Sequence, residues 1–198
     1  MHTMRYQNLY KHKARSVAQH EWSVSRIAMG LAYWETLKFN NEVSMHELLS
    51  TTLLHDTPEY IVGDVLSNVK RTTPKMLEAV EKSEKEAFDT EISRILPKQW
   101  HDEFRRKMLS PKNDTIEGKI VTAADAIDVI LECVEEIKLG NAEHFKEIAQ
   151  GVCKKLLEID LPSVKYFLKY SLSDFGLDIR STYGEEVYLY IQKLKNSD

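Results

Sequence analysis

Glycine and proline are scarce, 7 and 5 of 198 residues, about half of average usage. That leaves too little turn chemistry for a sandwich or barrel of many short strands, and a mainly helical chain is the first inference. Cysteine is scarcer still. Cys133 and Cys153 are the only two; both fall in helical patterns among apolar neighbours and read as buried free thiols in a reducing compartment. No run approaches the roughly eighteen apolar residues of a membrane span. Mean hydropathy is -0.41, and the basic N-terminal stretch MHTMRYQNLYKHKAR lacks an apolar signal core. Neither sign of charge dominates: 31 acidic and 27 basic residues leave a formal charge of -4, which argues against a nucleic acid polymer as partner. These absences predict a cytoplasmic protein with no membrane contact. What remains, 42% hydrophobic and 29% charged residues, is ordinary for a globular chain long enough to bury one core.

The apolar periodicity fills in that core. After a polar arm of about fifteen residues, Val24, Ile27, Leu31 and Trp34 recur at helical spacing and predict a helix from Val17 to Lys38. Ser44 and Glu47 form a capping-box pattern for a second helix, whose inner face of Leu48, Leu49, Thr52 and Leu53 leads to His55. Pro58 and Gly63 interrupt it. Pro74 opens a long third helix with Leu77, Val80, Ala87, Phe88, Ile92 and Ile95 inward and Glu78, Glu81, Glu84 and Glu86 outward, stopped by Pro97. A short helix around Trp100 to Met108 precedes the longest periodic stretch, Ile116 to Ile137, closed by Gly140-Asn141. Three more helical patterns follow: one through Phe145 and Leu157, one restarting at Leu161-Pro162, and one from Glu185 to Leu194. With no repeat and no long linker, the expectation is an all-α, single-domain helical bundle over residues 1–198, with a chemistry-bearing part at about 5–150 and C-terminal helices at 151–198.

Two ionisable residues directly after Leu53-Leu54 are costly in a core unless paired or bound to a metal, which singles out His55-Asp56. Asp125 poses the same question among the small residues Ala123, Ala124 and Ala126, and His20 opens the apolar stripe of the first helix. Brought together, two imidazoles and two carboxylates make a mixed nitrogen and oxygen set suited to a divalent transition metal. A plainer account stays open at this point, with His20 exposed at a helix start and Asp125 a hydrogen-bond acceptor between helices.

The order His20, His55-Asp56, Asp125, with separations of 35 and 69 positions from His20 to His55 and from Asp56 to Asp125, resembles the H…HD…D signature of the HD-domain metal-dependent phosphohydrolases. The flanking residues resemble the bacterial 5′-deoxynucleotidase branch. His55 to Asp64 matches its H-D-x-x-E-x-x-x-G-D segment, Ser16 to His20 is similar to its S-V-A-E-H segment, and Ala124-Asp125-Ala126 followed by Glu135 to Asn141 matches it again.

The resemblance implies a helical bundle that binds one divalent ion, Co, Mn, Fe, Ni or Zn, and removes phosphate from deoxyribonucleoside 5′-monophosphates. His20, His55, Asp56 and Asp125 would be the ligands. Glu59 would handle the attacking water and Asp64 would protonate the departing sugar oxygen, with Gly63 supplying the tight turn between them. Arg5 would fork the phosphate, Tyr6 would contact base or sugar, and Lys70 would add a phosphate contact. Tyr6 departs from the tryptophan common there, Leu66-Ser67-Asn68 replaces a proline-containing stretch, and the acidic substrate contact ahead of the last ligand in some relatives has no match. A triphosphate hydrolase on the same scaffold and a nucleotide-binding regulator without turnover are the rival readings. Glu59 is followed by Tyr60 and no GYP element is present, which disfavours the guanosine tetraphosphate and cyclic-dinucleotide branches. Relatives of this kind commonly form homodimers, and a homodimer is expected here.

Overall fold

The computed structural model describes residues 3–5, 9–65 and 67–196. Within them the chain is all-α, and the isolated pairing of Met4 with Ser16 is the one β-bridge recorded. In chain order the helices are α1 (Val17–Leu37), α2 (Met45–Thr52), α3 (Glu59–Val62), α4 (Ser67–Lys70), α5 (Pro74–Ala87), α6 (Ser93–Ile95), α7 (His101–Leu109), α8 (Ile116–Lys138), α9 (Ala142–Glu158), α10 (Pro162–Tyr166), α11 (Ile179–Tyr183) and α12 (Glu185–Lys195). No helix among the described residues is long and apolar enough to cross a membrane.

The core is built on α8, which packs most extensively against α9 on one side and α1 on the other. Ile120, Val121, Ile127 and Ile130 of α8 share one apolar cluster with Val24 and Leu31 of α1 and with Phe145 and Leu156 of α9. Each large side chain so buried contributes roughly 1.5–3 kcal/mol. Ala28 and Ala32 of α1 and Ala123 and Ala124 of α8 are fully buried in that cluster, and their size allows the two backbones to approach closely. As the sequence predicts, α8 ends at Gly140-Asn141: the Gly140 N–H donates to Ile137 and the Asn141 N–H to Glu136, a Schellman closure. Cys133 and Cys153 are both buried and free.

Three expectations need correction. The long third helix stops at Ala87 and passes through a π-helical turn, Phe88–Ile92, into the short α6. That wider turn sets Phe88 and Ile92 together on Met108 in a satellite core, whereas Leu77 and Ile95, placed inward by periodicity, are exposed. The second helix ends at Thr52, and Leu53 is exposed. His55 and Asp56 therefore sit in a run of tight turns, with Thr57 N–H donating to Leu54 and Glu59 N–H to Asp56, because Pro58 cannot continue an α-helical ladder. The restart at Pro162 divides into α10, a π-helical turn, a 3₁₀ turn and α11, which periodicity alone does not separate.

The polar arm is docked. Arg5 N–H donates to the Arg15 carbonyl at 2.8 Å and Val17 N–H to Thr3 at 2.9 Å, while Lys11 pairs with Glu132 of α8. His12 N–H and Lys13 N–H both donate to the Glu136 carboxylate, at 3.0 and 2.9 Å, and Asn141 adds a third bond. Burial opposes ionisation of Glu136, but these donors outweigh it and hold its carboxyl below the ordinary range. A depressed carboxyl pKa contributes stability above the unfolded value and loses it as pH falls through the folded one. Glu136→Gln therefore lowers the thermal midpoint at pH 7, by an amount equivalent to about 1–2 kcal/mol, and the gap from wild type closes in melts taken at successively lower pH below about 4.3.

Candidate metal centre

His20 lies one turn into α1, and the first turn fixes where its ring points. The Ser16 hydroxyl accepts from Gln19 N–H while the Gln19 side chain accepts from Ser16 N–H, a reciprocal cap that sets the helix start. The ring is completely buried. The account of His20 as an exposed residue at a helix start is thereby excluded.

His55 follows from the turn after α2, where its Nδ1 lies 2.8 Å from the Thr52 carbonyl. A carbonyl only accepts, so Nδ1 carries the proton and Nε2 presents a lone pair. His20 is oriented in the same way: its Nδ1 lies 2.7 Å from Asp128 Oδ2. Both Nε2 atoms are buried without a hydrogen-bond partner. They face the same carboxylates, His20 Nε2 at 3.2 Å from Asp56 Oδ2 and 3.2 Å from Asp125 Oδ1, and His55 Nε2 at 3.4 Å from Asp56 Oδ2. His20, His55 and Asp56 each place a donor atom within 4.8 Å of the others, and Asp125 comes from α8 to close the group. This is the donor set and orientation that a transition metal requires.

The electrostatics agree. Burial and Arg5 disfavour a charged His20, yet Asp125, Asp128 and Asp56 together hold its pKa well above the ordinary value. The field at that point favours positive charge. Burial keeps His55 neutral, the form that ligates. Asp56 and Asp125 stay ionised against burial, Asp56 through the two imidazoles and Asp125 through Lys112 first and then His20 and His55.

Glu59 opens α3 and is largely buried. Burial pushes its carboxyl up to about 8, and the charges of Asp56 and Asp64 add to the rise. Its Oε1 lies 3.4 Å from Lys70 Nζ, which also bonds Glu84 at 2.9 Å, and its Oε2 is buried with no partner. Lys70 thus reaches the site as a fixed support of Glu59. Asp64 and Arg5 are both near enough for their charges to act on Glu59, Arg5 also on His20. Between Glu59 and Asp64, Gly63 has φ +90, which turns the chain at little steric cost only for glycine. Tyr6 lies outside the described residues.

Three participants escaped the sequence reading. Asp128 is fully buried and holds His20 on one side while taking both terminal nitrogens of Arg15 at 3.0 Å on the other. Its signal was present, a second carboxylate one turn after Asp125 between Ile127 and Val129. Glu21, next to His20, is pushed up to about 7 by burial and accepts from the Tyr60 hydroxyl at 2.5 Å, tying α3 to α1. Lys112, from the break before α8, donates to Asp125 Oδ2 at 2.5 Å; nothing in a loop sequence marks that contact.

Helical fold and buried His/Asp cluster together define the class, an HD-domain phosphohydrolase. The chain belongs to the 5′-deoxynucleotidase YfbR-like family, whose model it matches over residues 1–175. It is 28% identical over 171 residues to a 5′-deoxynucleotidase of Vibrio vulnificus and 29% identical over 171 residues to one of Vibrio cholerae, each match covering 84% of both chains. An HD-domain phosphohydrolase of Listeria innocua superposes with a TM-score of 0.81 at 30% identity, over 98% of this chain and 92% of that one. A cyanophage S-2L HD phosphohydrolase bound to dA and one catalytic Zn2+ shares the fold at a TM-score of 0.53 and 14% identity, over 98% and 92% of the two chains.

Asp128 orients His20 without touching the donor cluster through its own oxygens. Asp128→Asn keeps the shape and removes the charge, and it weakens Mn2+ binding about 10- to 100-fold in a calorimetric titration while the far-ultraviolet circular dichroism stays that of wild type.

Proposed function

We propose that this protein is a metal-dependent 5′-nucleotidase that hydrolyses deoxyribonucleoside 5′-monophosphates to nucleoside and phosphate. The observation that carries the reading is the pair of buried Nε2 atoms of His20 and His55, both without a hydrogen-bond partner and both beside Asp56, with His20 Nε2 also facing Asp125. The family and the printed names of the Vibrio relatives support the substrate class.

His20, His55, Asp56 and Asp125 hold one divalent ion, and their nitrogen and oxygen donors suit Co, Mn, Fe, Ni or Zn. When bound, the ion supplies Lewis acidity toward a phosphoryl oxygen. The rest of the chemistry belongs to the chain. Glu59 takes the proton of the attacking water on Oε2, the oxygen with no protein partner, while Lys70 fixes Oε1. Asp64, a carboxylate close enough for its charge to act on Glu59, receives the proton that Glu59 removes from water and passes it to the departing O5′ of the sugar. Arg5 forks the phosphate from the docked arm and Tyr6, next in sequence, contacts base or sugar.

Phosphate release from dAMP, AMP and dATP with Co2+ or Mn2+ tests this. Release from dAMP exceeds that from AMP, and Glu59→Gln lowers kcat by about 10²- to 10⁴-fold. Hydrolysis of dATP alone would move the protein to the triphosphate reading; nucleotide binding without release under any metal would make it a regulator.

The chain is read as one domain because α9, α10, α11 and α12 contribute to the same apolar cluster as α1 and α8. The two buried free thiols suit a reducing cytoplasm. The outward face of α1 supports a homodimer. Trp22, Met29, Tyr33 and Leu37 are exposed at helical spacing along it, and Arg26, stacked on Trp22, is the charged residue among them. Light scattering at micromolar concentration gives twice the 23.0 kDa chain mass, and the double substitution Met29→Glu with Tyr33→Glu returns the monomer.

A further inference from the structure

Lys112 has no part in the chemistry derived so far, yet its ammonium lies inside the charged cluster. The two oxygens of Asp125 divide between partners: Oδ1 is 3.2 Å from His20 Nε2, and Oδ2 is 2.5 Å from Lys112 Nζ. The charge of Lys112 also acts on Asp56, His55 and Glu59. Its side chain is nevertheless 41% exposed, so the pair with Asp125 sits at the solvent mouth of the site and contributes little to stability.

The chain is built to put Lys112 there. Thr115 caps α8 by accepting from Gly118 N–H at 3.1 Å, and the Asn113 side chain accepts from both Thr115 N–H and the Thr115 hydroxyl, which folds the loop down on the first turn of α8. That approach needs glycine at 118: a Cβ there would lie 2.5 Å from the Asn113 carbonyl oxygen and 2.7 Å from its amide nitrogen. These are backbone atoms, so no side-chain rotation relieves the clash.

Charge counting shows what the ammonium is for. Asp56 and Asp125 cancel the two charges of a divalent ion, so the metal centre alone offers no net attraction to a phosphate monoester, which carries about 1.5 to 2 negative charges at pH 7. Cations outside the ligand set must supply it. Lys155 on α9 has two charges of its own sign near enough to act on it, Arg71 after α4 and Lys112. Burial and then the charges of Arg71 and Lys112 press the Lys155 ammonium below its ordinary pKa. An arriving anion relieves that repulsion.

Building on the nucleotidase reading, we propose that Lys112 is a phosphate-binding residue, held ready by the outer oxygen of Asp125 and transferred to the phosphate of the substrate when that group arrives.

Two titrations without turnover test it: Mn2+ into metal-free protein, followed by electron paramagnetic resonance, and inorganic phosphate into the Mn2+ form, followed by calorimetry. Lys112→Met weakens phosphate at least tenfold and tightens Mn2+ severalfold, because the ammonium that competes for Asp125 is gone. A loosened fold would weaken both, so the opposite signs identify the role. Lys112→Arg restores phosphate binding, and Gly118→Ala, which displaces the loop while keeping the charge, weakens it. With dAMP, Lys112→Met raises KM more than it lowers kcat. Unchanged phosphate affinity in Lys112→Met overturns the inference and leaves the nucleotidase standing; a wild-type protein that takes up no Mn2+ overturns both.

Discussion

Burying two imidazoles against two carboxylates beside the contact of α1 and α8 is the constraint on which the rest of the structure depends. An ion taken out of water costs several kcal/mol even after relaxation, against a net stability of about 5–15 kcal/mol for a whole domain. Such a cluster is tolerable only where each group has a fixed partner or a cation to share. The chain meets that condition outward first. His20 Nδ1 is taken by Asp128, His55 Nδ1 by the Thr52 carbonyl, Asp125 Oδ2 by Lys112 and Glu59 Oε1 by Lys70. Each of these four groups therefore has one atom fixed by protein and another free to meet the centre, where Asp56 lies against both imidazoles. That is preorganisation: the donors are in place before anything binds, and the ordering cost falls on folding rather than on binding or catalysis.

The same economy links the arm to the metal site. Arg15 grips Asp128 with both terminal nitrogens, while its backbone carbonyl holds the amide of Arg5. One residue thus connects Asp128, which orients His20, to the segment that carries Arg5. Glu136 and Glu132, further along α8, anchor the intervening residues. A segment that would be a loose basic tail by composition is fixed to the helix that supplies Asp125.

Helices were legible where packing on one face decided them. The α1 and α8 stripes and the Gly140 closure follow from spacing, because those helices bury a continuous apolar face. Where a helix lies off the main core, periodicity fails: the π-helical turn after α5 sets Phe88 and Ile92 together on Met108 in the satellite core, a spacing that an α-helical period does not give. The donor residues were legible for a different reason. His20, His55-Asp56 and Asp125 are polar exceptions in apolar surroundings, and such exceptions stand out in a linear sequence. Asp128 was visible by the same logic and overlooked, since Asp125 one turn earlier had already accounted for a carboxylate on that helix. Lys112 was not visible at all. A lysine in a polar loop is the expected residue, and only the close approach allowed by Gly118 gives it a place in the site.

That contrast separates the two tasks of the site. The groups that must be held to a few tenths of an ångström, the imidazoles and Asp125, stand on helices or on turns braced by Thr52 and Pro58. The groups proposed to meet the substrate, Arg5 and Lys112, stand on the arm and on the loop before α8, outside any helix. Ligand geometry is set by the core and can change only with it. Substrate contacts rest on short segments whose sequence can vary at little cost to the fold. The sequence differs from the related pattern at Tyr6, at Leu66-Ser67-Asn68 and at the missing acidic contact ahead of Asp125, and at none of His20, His55, Asp56 and Asp125. The metal chemistry is therefore the fixed property of this chain, and its choice of nucleotide is the adjustable one.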